Sequence, residues 1–201
     1  MLLRGVAVVA GTDTWLAVGS NSTLLRSTDG ALSWADQRAL TGKPDVYAWN
    51  AVEVKHAPYG WVVGSYGAVL RTANGGGSWV SSLVTGTARA LFSVASVDTL
   101  GLTAVAVGER GTILRTDDGG GTWSTVDGAG VTGHLLTVAF VSQERGFIAG
   151  DLGNQLLRTI NRGLLWAAVD VPALEAITTY TLLCWLYCVW FGRLANRPLV
   201  V

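Results

Sequence analysis

Cysteine, lysine and methionine are nearly missing from this chain of 201 residues, which holds 2 Cys, 2 Lys and 1 Met. Both cysteines, Cys184 and Cys188, lie in an apolar C-terminal stretch, so the rest of the chain has no disulfide framework and no thiolate metal site. Net charge is missing too. The 14 basic and 14 acidic residues cancel, which removes the long-range field that would gather nucleic acid or favour an anionic membrane surface. Only 2 histidines occur, His56 and His134, far apart and without a partner motif, so no metal constellation is expected and no cofactor is implied. Long hydrophobic runs are absent before residue 171. The N-terminus, Met1-Leu2-Leu3-Arg4, passes at once into strand-like sequence, too short for a secretory signal.

What the chain has in excess is glycine and tryptophan, 26 and 9 residues, within a composition that is 50% hydrophobic. Many tight turns and large aromatic plugs suit an all-β architecture. Four tryptophans, Trp34, Trp79, Trp123 and Trp166, fall at intervals of about 44 residues, the period of a four-stranded propeller blade. Each closes a similar phrase: GSNSTLLRSTDGALSW from Gly19, GSYGAVLRTANGGGSW from Gly64, GERGTILRTDDGGGTW from Gly108 and GDLGNQLLRTINRGLLW from Gly150. Upstream of each phrase stand two short apolar runs divided by Gly, Asn, Asp or Ser, which read as strands rather than helices.

The fold class expected is therefore all-β, a β-propeller of four four-stranded blades at about 5–40, 48–85, 90–128 and 134–170, forming an open arc or partial propeller. Such an arc exposes sheet faces and strand edges that invite a partner or a second copy of the chain. Between the third and fourth strands of each blade, Ser or Thr and Asp side chains are expected to bond turn amides while Gly accepts positive φ. The structural turn residues are Asp29 with Trp34, Asn74 with Trp79, Asp118 with Trp123 and Asn161 with Trp166. The fourth copy is degraded by Arg162, Leu164 and Leu165.

The segments Ser27 to Trp34 and Thr116 to Trp123 resemble the Asp-box repeat, S/T-x-D-x-G-x-T-W. The longer string VGERGTILRTDDGGGTW is similar to the photosystem II assembly and stability factor family, and the likeness runs over about residues 6 to 170. The resemblance implies lumenal propellers of seven blades that hold a newly made reaction-centre subunit, so a non-catalytic scaffold at the thylakoid membrane is expected, with a photosystem II subunit as client. Four units rather than seven, and an apolar tail, depart from that pattern. The competing reading is a glycan-binding or sialidase-like propeller. It lacks the arginine motif expected before the first box, and Glu53, Glu109, Glu144 and Glu175 are its only glutamates.

One arginine recurs in every unit, as Arg26, Arg71, Arg115 and Arg158. Stacked blades place these guanidiniums at equal height, where they could clamp client carboxylates by bidentate bonds or fix one blade to the next. The glycines at 75–77 and 119–121 are turn glycines, since no Lys-Ser/Thr follows them. From Val171 to Gly192 the chain is apolar apart from Glu175, with Trp185, Tyr187, Trp190 and Phe191 crowding its far end before Arg193 and Arg197. This is a transmembrane-helix candidate whose flanking charge puts the propeller on the opposite side from the C-terminus. A helix covering the last blade, or an extension where further blades are missing, is the alternative.

Overall fold

Strand-forming runs of four to eight residues, each followed by a turn that only Gly, Asn or Asp tolerates easily, leave the chain little choice but short antiparallel ladders. A computed structural model describes residues 1–41, 47–56, 58–128, 130–151 and 155–170, and within them Met1–Val169 is one unit. The first sheet comprises β1 (Leu3–Val8), β2 (Trp15–Gly19), β3 (Leu24–Ser27) and β4 (Ala35–Asp36). The second comprises β5 (Trp49–His56), β6 (Tyr59–Gly64), β7 (Val69–Thr72) and β8 (Val80–Ser81), after which comes a short strand β9 (Leu83–Val84). The third comprises β10 (Leu91–Ser96), β11 (Ala104–Gly108), β12 (Ile113–Thr116) and β13 (Thr122–Thr125). The fourth comprises β14 (Leu135–Phe140), β15 (Gly146–Gly150), β16 (Leu156–Thr159) and β17 (Ala167–Ala168).

Each phrase thus yields one antiparallel sheet, and the four sheets pack in chain order, β1 against β5, β5 against β10 and β10 against β14. This is the arrangement of a partial propeller. The third sheet departs from the four-stranded expectation: β9 lies parallel to β13 and makes it five-stranded, with Leu83 N–H bonded to Gly121 O and Thr85 N–H to Trp123 O. The linker thereby covers amides and carbonyls that an edge strand would leave open. The fourth strands are shorter than the alternating sequence suggests, only two residues in three of the sheets.

Three separate apolar cores lie between the four sheets. The first joins Leu16, Val18 and Leu24 to Trp49, Val52, Leu70 and Trp79. The second joins Trp61, Val63 and Val69 to Leu91, Val94, Leu114 and Trp123. The third joins Val105, Val107 and Ile113 to Leu135, Val138, Leu157 and Trp166. The second, third and fourth blades therefore each have a leading face, which carries the box tryptophan toward the preceding blade, and the first three each have a trailing face, which receives the next. With side-chain period two along a strand, one short ladder supplies both faces, and neither is stable until covered.

The C-terminal helix and the membrane span expected over 171–201 lie outside the described residues, as do Glu175, Cys184 and Cys188. Among the described residues no helix is long and apolar enough to cross a membrane.

Candidate functional site

The site is built from the turns outward, because the turns fix where each blade meets the next. In the first blade Asp29 Oδ1 accepts the amides of Leu32 and Ser33 at 3.1 and 3.0 Å, and Ser27 Oγ accepts that of Ala31 at 3.0 Å. In the third, Asp118 accepts the Thr122 amide at 3.0 Å, the Thr122 hydroxyl donates to it at 2.8 Å, and the Gly120 amide donates to Thr116 Oγ1 at 2.9 Å. Asn74 and Asn161 accept the amides of Ser78 and Leu165 at 2.9 and 3.0 Å in the same way. Hydrogen bonds to Ser27 and Ser33 hold the Asp29 carboxyl well below its usual range. Burial pushes the Asp118 carboxyl up, but its bonds to Thr122, Thr116 and Gly121 together outweigh that and leave it lowered.

Two successive residues of every turn take positive φ: Gly30–Ala31, Gly75–Gly76, Gly119–Gly120 and Arg162–Gly163. This geometry lifts the carbonyl of the first residue of the pair toward the preceding blade. Trp61 Nε1 of the second blade donates to Gly119 O at 3.3 Å, and Arg115 of the third donates to Arg162 O. The first joint uses another donor, Trp79 Nε1 to Gln37 Oε1 at 3.3 Å.

The four repeated arginines sit on the third strands, on the trailing side. Arg115 is buried, ion-paired to Asp117 and bonded to the Arg162 carbonyl, so its charge is used inside the third joint. The Arg71 stem lies under the third turn, 3.5 Å from where a Cβ on Gly120 would be. Arg26 is half-buried, with an Nε that has no partner among the described residues, and Arg158 is exposed.

A second row of polar contacts runs along the inner strands and carries no signal in the repeated phrase. All four inner strands bulge at the same place, between Leu3 and Gly5, Trp49 and Ala51, Leu91 and Ser93, and Leu135 and Thr137. The bulged residue is thereby re-aimed at its neighbour blade. Arg4 Nη1 donates to Asn50 Oδ1 at 2.7 Å, and Asn50 Nδ2 donates to Leu91 O at 2.7 Å. Phe92 meets His134 edge to face at 6.0 Å, and His134 Nδ1 accepts the Arg110 amide at 3.2 Å. Glu53 accepts the Ser96 amide at 2.6 Å and Glu109 that of Ala90 at 3.0 Å, so both carboxylates serve the scaffold.

A groove of about 540 Å³ opens between the linker at Gly86–Arg89 and the third blade at Gly111–Ile113 and Thr125–Val126. Among the described residues its one charged lining side chain is Arg89. Among the described residues no three His, Cys, Asp or Glu side chains are grouped to hold a metal ion.

With this geometry in hand the sequence can be placed. The profile of the photosynthesis system II assembly factor YCF48 family matches it twice, over residues 2–86 and 47–131. The chain belongs to that family. Each match spans two adjacent blades, so the family signal is the repeated unit and its joint. No curated protein matches the chain in sequence. Among solved structures, YCF48 bound to D1 peptide is similar with a TM-score of 0.56 and 16% identity, over 83% of this chain and 81% of that one. YCF48 from Cyanidioschyzon merolae has a TM-score of 0.59 and 17% identity over 86% of this chain and 57% of that one, so this chain spans little more than half its length. The GH74 enzyme of Niastella koreensis shares the fold at TM-score 0.59 and 16% identity, but only 24% of that chain is covered.

Proposed function

We infer that this member of the YCF48 family is a non-catalytic binding scaffold that holds a protein client of photosystem II assembly, the D1 protein being the first candidate. The single observation that carries this reading is the family match across the first three blades, beside a similar fold seen with a D1 peptide bound. The chemistry of the joints supports it. Carboxylates that a hydrolase would need are spent on backbone amides at Glu53 and Glu109, and among the described residues no carboxylate lines the groove beside Arg89. A glycan-directed reading therefore has no specific feature in its favour.

Arg26, Arg71 and Arg158 are the members of the arginine set whose guanidiniums the blade joints do not consume in the manner of Arg115, and they are assigned to client carboxylates. A thylakoid, lumen-facing location, with attachment through 171–192, completes the proposal. Fluorescence anisotropy with a labelled D1 peptide tests it directly. Binding by the full chain is expected, weakened about tenfold by Arg26→Gln together with Arg71→Gln, the loss that one or two charge-assisted bonds imply. No binding by the folded chain overturns the client. Unchanged binding by the double variant overturns the arginine assignment.

A further inference from the structure

The fourth turn holds an arginine that the turn itself does not require. Gly30, Gly75, Gly119 and Arg162 occupy the same place, all at positive φ, and the amide of each donates to a carbonyl of its own blade, that of Asp13, Pro58, Leu102 and Glu144 in turn. Glycine reaches that conformation freely, whereas Arg162 adopts φ 63 with a side chain attached. The difference lies in where that side chain goes. It reaches back across the third joint, where its Nη2 stands 3.7 Å from Asp98 Oδ2 on the loop between β10 and β11. Strain kept at one residue where three equivalents avoid it points to a task for the side chain.

Asp98 belongs to a run of polar groups that closes on itself. It is 8% exposed and accepts the Leu102 and Thr103 amides at 3.1 and 2.9 Å. Burial pushes its carboxyl up, but bonds from Thr103, Leu102 and Gly101 outweigh that and hold it lowered, so it is an anion. The Thr103 hydroxyl stands 3.5 Å from Asp117 Oδ1, Asp117 pairs with Arg115, and Arg115 donates to the Arg162 carbonyl. The corresponding ties at the first two joints are neutral, Trp79 Nε1 to Gln37 Oε1 and Trp61 Nε1 to Gly119 O. The connections differ as well. β9 follows β8 after one residue and pairs with β13, which straps the second blade to the third. Among the described residues the stretch between β13 and β14 forms no strand and holds Gly128, Gly130 and Gly133. We propose that the third joint is a latch that opens independently of the first two, with Arg162 and Asp117 setting how often it opens. A buried charge that loses its partner is costly, so the joint lets go as one event rather than loosening by degrees. Opening bares Trp166 and the Arg115 guanidinium, both buried when the joint is closed.

Four backbone amides report the joints one by one. Ser22 donates to Tyr47 O across the first at 2.7 Å and Ser96 to Glu53 across the second at 2.6 Å. Across the third, Arg110 donates to His134 Nδ1 at 3.2 Å and Val138 to Ser93 Oγ at 3.3 Å. Hydrogen exchange of the full chain, followed residue by residue by NMR, tests the latch without any client. In Asp117→Asn, which strands the Arg115 charge and leaves Asp118 in place, protection at Arg110 and Val138 is expected to fall together by about tenfold while Ser22 and Ser96 keep theirs. Arg162→Gly separates the latch from the turn. It removes the left-handed strain and keeps the carbonyl that Arg115 holds, so a residue serving its turn alone would leave exchange unchanged or slow it. The latch instead predicts a fall in protection of about threefold at the same two amides, the size of a partly exposed ion pair. Should Asp117→Asn fail to fold, Asp98→Asn removes the other carboxylate and is expected to produce the same split. An equal fall at all four amides, which would show the blades opening together, overturns the proposal. Unchanged protection at Arg110 and Val138 in the carboxylate variants overturns it too, and unchanged or slower exchange in Arg162→Gly removes Arg162 from the latch.

Discussion

The first and third blades share a turn and differ in their surroundings. Asp29 and Asp118 hold the same amides, and Trp34 and Trp123 follow them at the same distance. Trp34 is nevertheless two-fifths exposed while Trp123 is buried at the second joint, edge to face with Trp61 at 6.3 Å. The turn is thus a local device, fixed by residues within seven positions of each other, whereas the burial of the tryptophan belongs to the neighbour. Stability in such an array is a sum of blade terms and joint terms, and these two tryptophans separate them.

Truncating both rings has the largest expected effect. Trp123→Ala is expected to cost about 3–5 kcal/mol, the usual loss for a buried Trp, and Trp34→Ala about 1 kcal/mol or less. Urea unfolding of the two variants beside the parent chain measures both. Equal losses would show that the turn rather than the joint uses the ring.

Glycine gives the next contrast. A Cβ on Gly120 would stand 2.3 Å from Trp61 Nε1 at φ +84, so Gly120→Ala is expected to cost about 2–4 kcal/mol from overpacking and left-handed strain together. Gly30 takes φ +73 with nothing within 4 Å, so Gly30→Ala carries only the strain, about 1 kcal/mol. Thermal unfolding of the two variants measures the difference, and a loss at Gly30 as large as that at Gly120 would place the cost in the turn itself. In the opposite direction, Ala31 holds a positive φ that glycine adopts freely, and Ala31→Gly should raise stability by about 1 kcal/mol in the same assay.

Acid has the smallest expected effect. Asp29 and Asp118 ionise more readily in the folded chain than in the unfolded one, so each contributes stability that is complete above the ordinary carboxylate pKa of about 4 and is lost as pH falls toward the lowered folded value. The fall in Tm between pH 5 and pH 3 should therefore shrink in Asp118→Asn, whose turn then matches those of Asn74 and Asn161. A fall as steep as in the parent would assign acid sensitivity to other groups, Asp98 among them.

Much of this fold is written in the phrase itself. The period, the paired apolar runs and the turn chemistry follow from residue type, because turns demand positive φ and short ladders demand alternation. Joints are less visible. Arg115 and Arg26 are the same letter in the same place, yet one is consumed by Asp117 and a carbonyl of the next turn and the other is not, since the acceptor lies 47 residues away in the chain. The bulges that aim Arg4 and Asn50 across the inner strands leave no mark in the apolar pattern, and β9 is two residues of linker that pair only because an edge was open. Exposure of Trp34 has no local signature at all.

Fluorine NMR of the chain labelled with 5-fluorotryptophan separates turn from joint, with resonances assigned by Trp-to-Phe substitution. Transfer from water to deuterium oxide should shift the Trp34 resonance and leave those of Trp79, Trp123 and Trp166 nearly in place. Four equal responses, whether all large or all small, would contradict the claim that a box tryptophan is buried by a neighbouring blade and not by its own turn.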